Sequence, residues 1–259
     1  MSHPRPIVLA ITSDQHAGSR VALCPPSIPL DEGGSYTASP AQNWIWAGWL
    51  SFWKRAAEVR KAVHGEFYHV FNGDLIEGLH HRNEHLIASN PNTQKAVWRQ
   101  AVRVPLALSP DRIFVVRGTE AHGGAEGTTE ESIADGLRCD KRPIVSDIDT
   151  GSASWWHLRM EVAGMLLDIT HHGRTGQREH TRAGAASLHA HDIVLSHLYT
   201  DDRVPDLCFR GHYHRFNDSG PASPKTRVLT SGAWQLKTGH VHKVAADSVS
   251  DIGGYIVTL

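Results

Sequence analysis

The sequence predicts a layered α/β sandwich with a mixed β-sheet. In its first half, apolar strand-like segments alternate with helical segments, which is the order of βαβ units. Strand-like segments dominate the second half and indicate further strands of mixed direction. No internal repeat and no low-complexity linker interrupts the chain. We therefore expect a single domain over 1–259, with a Pro- and Gly-rich loop insertion at about 24–40.

The first strand and the first helix have clear patterns. Ile7–Thr12 is a continuous apolar run rich in β-branched residues, typical of a strand buried on both faces. A helical pattern follows over 41–63, with tryptophans at spacings of three and four, namely Trp46, Trp49 and Trp53. Because aromatic side chains at helical spacing usually cover a buried face, we interpret this stripe as core rather than as a binding platform.

The later elements are mostly strands. A second helix is expected over 93–104, and 181–200 has a helical pattern, although 192–199 also fits a strand. Ala163-Gly164 separates two strand-like runs and predicts a hairpin. The strands expected are 67–74, 112–122, 155–162, 165–172, 206–214, 227–236 and 254–259.

The composition is typical of a globular protein without a membrane span. Apolar residues make up 40%, charged residues 20%, and the formal net charge of −1 gives no global attraction for nucleic acid. The N-terminal apolar run is shorter than a signal-peptide core, and no segment approaches the roughly 18 apolar residues of a span. Three widely spaced cysteines argue against a disulfide framework and a cysteine zinc site. They suit a reducing compartment, so we expect a cytoplasmic protein.

Histidine is abundant, with 19 copies, and beside so few cysteines it indicates metal chemistry with nitrogen and oxygen ligands. Metal-ligating residue types follow five strand-like runs: Asp14 and His16, Asp74, Glu120 and His122, His171 and His172, and His212 and His214. Each taken alone fits a surface histidine or a turn. Open α/β sheets place their ligands at strand ends, so the recurrence favours one metal site. In "GHYH", alternate strand residues project to one side, so we expect His212 and His214 to ligate together.

Five motifs, in order, carry a family resemblance: "SDQH", "NGD", "GTEAH", "THHG" and "GHYH". This set resembles the calcineurin-like metallophosphoesterases, whose usual pattern is DxH, GD, GNH followed by an acid, a lone His, then GHxH. The resemblance runs from Asp14 to His214. It implies a four-layered α/β sandwich with mixed β-sheets, and the last two predicted strands fit that fold.

The resemblance also implies two metal ions bridged by the carboxylate of Asp74. The ligands of the first ion would be Asp14, His16 and His214. The second ion would be held by His171 and His212. We choose His171 over His172 as the ligand because His171 lies nearer the strand end. We expect His172 to support the ligands without binding a metal ion itself.

The third motif departs from the family pattern. Thr119 stands where the family has an Asn ligand, and Glu120, Ala121 and His122 follow it. We therefore expect Glu120 to take the ligand role and His122 to protonate the leaving group. A carboxylate there adds negative charge and makes the second ion a poorer Lewis acid. The alternative is a degraded half-site at which only one metal binds well.

Residues that flank the motifs have weaker assignments. Asn72 precedes Asp74 and is expected to hydrogen-bond the Asp74 carboxylate without binding a metal ion itself. His80 and His81 either line the pocket or lie in a solvated loop. Arg174 either binds a phosphate oxygen or forms a structural salt bridge. Of these, His81 and Arg174 are the candidate substrate contacts, and the Pro-rich loop is expected to shape access.

The function implied is hydrolysis of phosphoric esters, with diesters favoured. Two ions about 3.5–4 Å apart hold a hydroxide nucleophile and orient the phosphoryl oxygens. Mixed nitrogen and oxygen ligation suits Mn(II), Fe or Zn better than Mg or Ca, and Mn(II) is our first choice. The substrate would be a phosphate ester, such as a nucleotide or a short nucleic acid. The alternatives are a phosphomonoesterase, a small nuclease of the same family, or a non-catalytic scaffold, which would have lost ligands that are present here.

Overall fold

Two β-sheets packed face to face form the middle of the structure. The computed structural model describes residues 5–31, 33–80, 85–174, 181–220, 225–244 and 246–259. The first sheet contains β1 (Ile7–Thr12), β4 (Glu66–Asn72), β5 (Arg112–Val116) and β11 (Tyr255–Thr258), in the order β11-β1-β4-β5. The strands β1, β4 and β5 are parallel and β11 is antiparallel to β1, so the sheet is mixed as predicted.

The second sheet is also mixed. Its strands are β6 (Leu158–Val162), β7 (Met165–Ile169), β8 (Leu207–Arg210), β9 (Asn217–Asp218) and β10 (Arg227–Thr230), in the order β6-β7-β8-β10-β9. The central strands β7, β8 and β10 run parallel, whereas β6 and β9 are antiparallel to their neighbours. The predicted hairpin is β6 and β7. Its turn residues Ala163 and Gly164 have φ values of 51° and 81°, the left-handed region that a tight turn requires.

Seven α-helices accompany the sheets among the residues that the structure describes. They are α1 (Pro40–Val63), α2 (Pro91–Ala101), α3 (Arg103–Ala107), α4 (Glu120–Gly123), α5 (Thr128–Cys139), α6 (Arg182–Thr200) and α7 (Gly239–Val244). The helix α1 begins at a capping box, in which the side chains of Ser39 and Gln42 each accept from the other residue's backbone N–H. Within these same residues, no helix combines the length and the apolar character that crossing a bilayer requires.

Three apolar clusters give the structure four layers. The first joins α1, α2 and α5 to the outer face of the first sheet, and the second fills the space between the two sheets. The third joins α6 to the outer face of the second sheet through Ala190 and Ile193, which pack with Cys208 and Val228. The order is helices, sheet, sheet, helix. The predicted four-layered α/β sandwich is therefore confirmed.

The tryptophan stripe of α1 belongs to the core, as predicted. Trp49 and Trp53 are buried, and Trp46 is half-buried against the same cluster. The second predicted helix is divided into two helices, and Trp49 contributes to this break. Pro105 has no N–H to donate to the carbonyl of Ala101, and the indole N–H of Trp49 donates to that carbonyl at 3.1 Å instead. The chain turns at this point between α2 and α3.

The segment 192–199 lies inside α6, so its alternative interpretation as a strand was wrong.

Several predicted strands end earlier than the sequence indicates. The strand β5 ends at Val116, and the remainder of its predicted segment forms a loop and α4. The Pro-rich loop contains a small hairpin, β2 (Ser27–Pro29) and β3 (Ser35–Thr37), where Asp31 accepts hydrogen bonds from Asn90 and Thr93.

Candidate metal centre

The residues predicted as ligands come from loops at the ends of five strands. The loop after β1 carries Asp14 and His16, and the loop after β4 carries Asp74. These two loops are joined by backbone hydrogen bonds from Asp14 N to Gly73 O at 3.1 Å and from His16 N to Asp74 O at 3.0 Å. The loops after β7 and β8 are joined in the same way, by Gly211 N to His171 O at 2.8 Å. The main chain thus fixes the ligand loops pairwise.

Left-handed backbone conformations aim several of these side chains. The residues with positive φ in this region are Asp14, His16, Asp74, His212 and His214, at 55°, 46°, 51°, 72° and 54°. Such conformations are costly for residues other than glycine and tend to cluster at functional sites. The sequence prediction placed "GHYH" on a strand, with alternate residues facing one side. That geometry was wrong because β8 ends at Arg210 and the two histidines lie in the following loop.

A first group of side chains meets around Oδ1 of Asp14. Nε2 of His214 lies 3.3 Å from this oxygen and Nε2 of His16 lies 3.8 Å from it. The two Nε2 atoms are 3.1 Å apart. The other carboxylate oxygen, Oδ2, accepts the backbone N–H of His212 at 3.0 Å and lies 2.5 Å from Oγ of Ser13. Asp14 is therefore oriented by one oxygen while the other faces two histidine nitrogens.

A second group meets at Asp74. Nε2 of His171 lies 2.9 Å from Oδ2 of Asp74 and 3.7 Å from Oδ1 of Asp14, so it faces both carboxylates. The opposite nitrogen, Nδ1, donates to the carbonyl of Asn72 at 2.8 Å. This bond fixes the tautomer that leaves Nε2 available to a metal. His212 completes the group with Asp74 and His171.

His171 and His172 differ in the way that the sequence analysis expected. His171 is buried, whereas His172 is exposed and its Nε2 lies 3.3 Å from Oγ1 of Thr119. Asn72 is buried and supports the centre with its backbone: its carbonyl accepts from His171 and lies 2.6 Å from Ser13 Oγ. Its side chain donates to Thr170 O at 3.2 Å rather than to Asp74.

The third motif is arranged differently from the prediction. Glu120 is exposed at the start of α4 and belongs to none of the ligand-type groups among the described residues. Thr119 occupies the position instead. Its backbone N–H donates to Oδ1 of Asp74 at 2.6 Å, and its hydroxyl donates to Oδ2 at 3.2 Å. Gly118 allows this approach, since a Cβ there would collide with the backbone and carboxylate of Asp74. The ligand role of Glu120 is not supported by its position.

His122 lies beside the centre and is held by a residue that the motifs did not indicate. Its Nδ1 donates to the carbonyl of Glu77 at 2.6 Å, and its Nε2 lies 3.9 Å from Oδ2 of Asp74. The carboxylate of Glu77 is buried, and its Oε2 lies 3.2 Å from Nδ1 of His16. The only signal in the sequence was the position of Glu77 three residues after Asp74.

Of the two predicted substrate contacts, only Arg174 lies among the described residues, and it is paired away from the centre. Arg174 is exposed and forms an ion pair with Asp192 of α6, which matches its structural interpretation. His80 is half-buried, with its Nε2 3.4 Å from Oε1 of Glu77. His81 lies outside the described residues.

The buried carboxylates of the centre favour positive charge on the groups around them. Burial raises the pKa of Asp14, but the charges of His171 and His214 outweigh it and hold that pKa well below its usual value. Burial lowers the pKa of His16, but the neighbouring carboxylates of Asp14 and Glu77 outweigh it and raise that pKa to about 10. Burial likewise lowers the pKa of His171, whereas Asp74 and Asp14 raise it to about 9. Without metal, protons therefore occupy these histidines.

The neighbouring histidines behave in the opposite way. Burial and the charge of His16 lower the pKa of His122 to about 4. Burial and the charge of His171 lower the pKa of His212 to about 4. Both rings are therefore neutral near pH 7, which is the form in which an imidazole can ligate a metal ion.

The residues fit a pair of divalent metal ions. Oδ1 of Asp14 is fully buried, and none of the described residues donates a hydrogen bond to it. A buried carboxylate oxygen without a donor is costly, and a cation facing it would offset that cost. The donor set around it consists of imidazole nitrogens and carboxylate oxygens, which suits Mn, Fe or Zn. Four ligand-type groups occur among the described residues, and two of them consist only of predicted ligands: Asp14, His16 and His214, and Asp74, His171 and His212. The other two groups contain His122.

No protein-family model matches the sequence, and no curated protein matches it either. Solved structures are similar to it. An archaeal phosphodiesterase is 12% identical over 97% of this chain and 99% of that chain, with a TM-score of 0.38. A 5'-nucleotidase precursor from Thermus thermophilus is 14% identical over 98% of this chain and 54% of that chain, with a TM-score of 0.38. Vacuolar Protein Sorting 29 from Cryptosporidium parvum is 8% identical over 98% and 97%, with a TM-score of 0.41.

These likenesses are too distant to assign an activity. The fold is established by the order of the layers and by the positions of the motif residues in them. Two mixed sheets lie between helices, and all five motifs place residues shortly after strands of those sheets, namely Asp14, Asp74, Thr119, His171 and His212. The chain therefore has the four-layered fold implied by its resemblance to the calcineurin-like metallophosphoesterases.

Proposed function

We propose that this protein hydrolyses phosphoric esters, with diesters as its substrates, and that two divalent metal ions serve the reaction. One observation carries the proposal: the two ligand-type groups are adjacent. Nε2 of His171 lies 2.9 Å from Asp74 and 3.7 Å from Asp14, so the two carboxylates face a shared space. Adjacent ions in that space would activate a water molecule and stabilise charge on the phosphoryl oxygens.

The chain contributes orientation and a proton site. Thr119 binds both oxygens of Asp74, which fixes the plane of the proposed bridging carboxylate. The carbonyl of Glu77 fixes Nδ1–H of His122, so Nε2 is the atom that faces Asp74 and the reacting phosphate. Since the neutral ring holds its own proton at Nδ1, we propose that this Nε2 takes up the proton released by the attacking water and passes it to the leaving oxygen.

Three of the arginines near the motifs are already ion-paired, which favours a diester over a monoester. A monoester carries up to two negative charges and a diester carries one, so a monoesterase gains from an additional cation. Arg117, Arg174 and Arg210 stand next to the motifs in sequence. Each is ion-paired elsewhere, with Glu131, Asp192 and Asp168 respectively. None of these three guanidinium groups is therefore available to bind a second phosphate charge.

The identity of the metal and the location of the protein belong to the same proposal. The nitrogen and oxygen ligands favour Mn(II), with Fe or Zn as alternatives. Three free cysteines agree with a cytoplasmic protein, in which a nucleotide or a short nucleic acid would be the phosphate ester. A scaffold without catalysis would not need the near-complete set of ligand-type residues found here.

Hydrolysis of bis(p-nitrophenyl) phosphate by metal-stripped protein resupplied with Mn(II) tests the proposal. We expect turnover that requires metal and falls by at least about 100-fold in Asp74→Asn. Asp202→Asn is the matched control, because Asp202 is exposed and pairs with Arg159 away from the centre. Faster turnover of p-nitrophenyl phosphate would reassign the substrate class to monoesters. Folded wild-type protein that binds Mn(II) without hydrolysing either ester would contradict the proposal and favour a scaffold.

A further inference from the structure

Glu77 connects several residues around the centre although it belongs to none of the five motifs. Its side chain is 5% exposed. Oε2 lies 3.2 Å from Nδ1 of His16 and accepts the side-chain N–H of Gln235 at 2.6 Å. Oε1 lies 3.4 Å from Nε2 of His80. Burying a carboxylate costs free energy through desolvation unless its hydrogen-bonding and charged partners are well placed, so the burial of Glu77 indicates a specific role.

The two nitrogens of His16 face different partners. Nε2 faces Oδ1 of Asp14 and Nε2 of His214, where the first metal ion is proposed. Nδ1 faces Glu77 on the opposite side of the ring. A carboxylate on the second nitrogen of a ligating histidine fixes the tautomer and the ring plane, and it makes the metal-facing nitrogen more basic.

Gln235 fixes Glu77 from the chain segment after β10. The backbone of this segment is tied to the loop that carries His16: Trp234 N donates to Asp14 O at 2.9 Å, and Leu236 N donates to Val21 O at 2.8 Å. Gln235 is itself buried. The segment, the carboxylate and the ring are therefore held in one arrangement before any ion is present.

We propose that Glu77, held by Gln235, is a positioning residue that orients His16 as a ligand of the first metal ion. This inference rests on the proposed metal centre. Glu77 does not touch the reacting phosphate. It acts through His16, and Gln235 acts through Glu77. Loss of either should weaken one of the two ions while the ion at His171 and His212 stays bound.

Metal binding in three single variants, and in the double variant of Glu77→Gln with Gln235→Leu, tests whether the two residues act in series. Glu77→Gln keeps the shape and removes the charge, and Gln235→Leu removes the donor. The matched control is Glu131→Gln, because Glu131 bonds Arg117 and Ser154 outside the centre. Mn(II) titrations followed by electron paramagnetic resonance give the affinity of each ion, and circular dichroism verifies that each variant is folded.

We expect Glu77→Gln to weaken one ion by about 10- to 100-fold, the usual range for the outer partner of a metal-ligating histidine. Gln235→Leu should weaken the same ion by less. The double variant should be no worse than Glu77→Gln alone, because the two residues act in series. In the zinc-loaded wild type, a downfield proton resonance from Nδ1–H of His16 should be present, and Glu77→Gln should abolish it. A merely structural role would not remove that resonance.

Unchanged affinity for both ions in folded Glu77→Gln would overturn the inference while leaving the proposed function intact. Three Mn(II) ions per wild-type chain falling to two in this variant would also overturn it, because Glu77 would then be a ligand, together with His80 and His122. Conversely, wild-type protein that binds two ions and hydrolyses no ester would contradict the function alone.

Discussion

Thr119 binds both carboxylate oxygens of Asp74, with its backbone N–H at 2.6 Å from Oδ1 and its hydroxyl at 3.2 Å from Oδ2. The same hydroxyl lies 3.1 Å from Nδ1 of His212. The third motif therefore supplies donors that orient the proposed bridging carboxylate, where the sequence had predicted an extra carboxylate ligand from Glu120. This relationship leads to the first prediction.

Thr119→Val should weaken Mn(II) binding by roughly tenfold or more, because a hydrogen bond to a charged group contributes about 1.5–3 kcal/mol. Glu120→Gln should leave the affinity within about twofold, since Glu120 is exposed. Isothermal titration calorimetry of both variants measures this difference. A large loss in Glu120→Gln with no loss in Thr119→Val would reverse the assignment and restore Glu120 as a ligand.

His122→Asn should reduce hydrolysis selectively according to the leaving group. A ribose alkoxide needs a proton as it leaves, whereas p-nitrophenolate is stable without one. We expect a loss of about 10²-fold or more for a dinucleotide, within the usual range of general acid catalysis, and a much smaller loss for bis(p-nitrophenyl) phosphate. His172→Asn is the control, because His172 is exposed and its ring lies next to Thr119. Equal losses on both substrates would exclude the proton-donor role.

Metal removal should lower the stability of the fold. Two buried carboxylates, Asp14 and Asp74, face protonated histidines in the metal-free protein, and a bound ion would replace those protons. Ion binding to the native state alone stabilises it by about 2.7 kcal/mol at a free concentration 100 times Kd. Thermal unfolding with and without Mn(II) should therefore show a concentration-dependent rise in Tm that is smaller in Asp74→Asn. An identical rise in that variant would place the ion elsewhere.

The sequence predicted the site better than it predicted the backbone that builds the site. Asp14, His16, Asp74, His171, His212 and His214 come together because strand ends meet at one edge of each sheet, and that rule needs only the order of the segments. The geometry of "GHYH" was missed because left-handed φ values at His212 and His214 override the alternation of a strand. No local pattern reports such strain in residues other than glycine.

Contacts between segments that are distant in the chain could not be predicted from the sequence either. Gln235 and Glu77 are 158 positions apart, and their hydrogen bond exists only once β10 lies beside β8 and the following loop returns to β1. The break between α2 and α3 involves the Trp49 side chain from α1, which a local helical pattern cannot indicate. Thr119 was seen at its motif position, but its bonds to Asp74 depend on the close approach that Gly118 permits.

A buried histidine that belongs to none of the motifs makes the stability of the protein depend on pH. His69 lies in β4, fully buried among Trp53, Phe67 and Phe71, and neither ring nitrogen has a hydrogen-bond partner among the described residues. Burial, helped by the charge of Arg60, lowers its pKa from 6.5 to about 3. The ring is therefore neutral in the folded protein at every pH at which the fold is expected to persist.

Between pH 6.5 and pH 3 the unfolded chain binds a proton at His69 that the folded chain does not. The contribution of His69 to stability is therefore full above pH 6.5 and falls as the pH drops, by about 1.4 kcal/mol per unit. His69→Leu, a swap of similar volume, should remove this part of the acid sensitivity while changing stability at pH 8 by less than about 1.5 kcal/mol. Urea unfolding of wild type, His69→Leu and the exposed control His191→Leu at pH 8, 6 and 5 measures the slope. Parallel pH dependences for wild type and His69→Leu would mean that His69 accepts its proton without unfolding, and the burial argument would then fail.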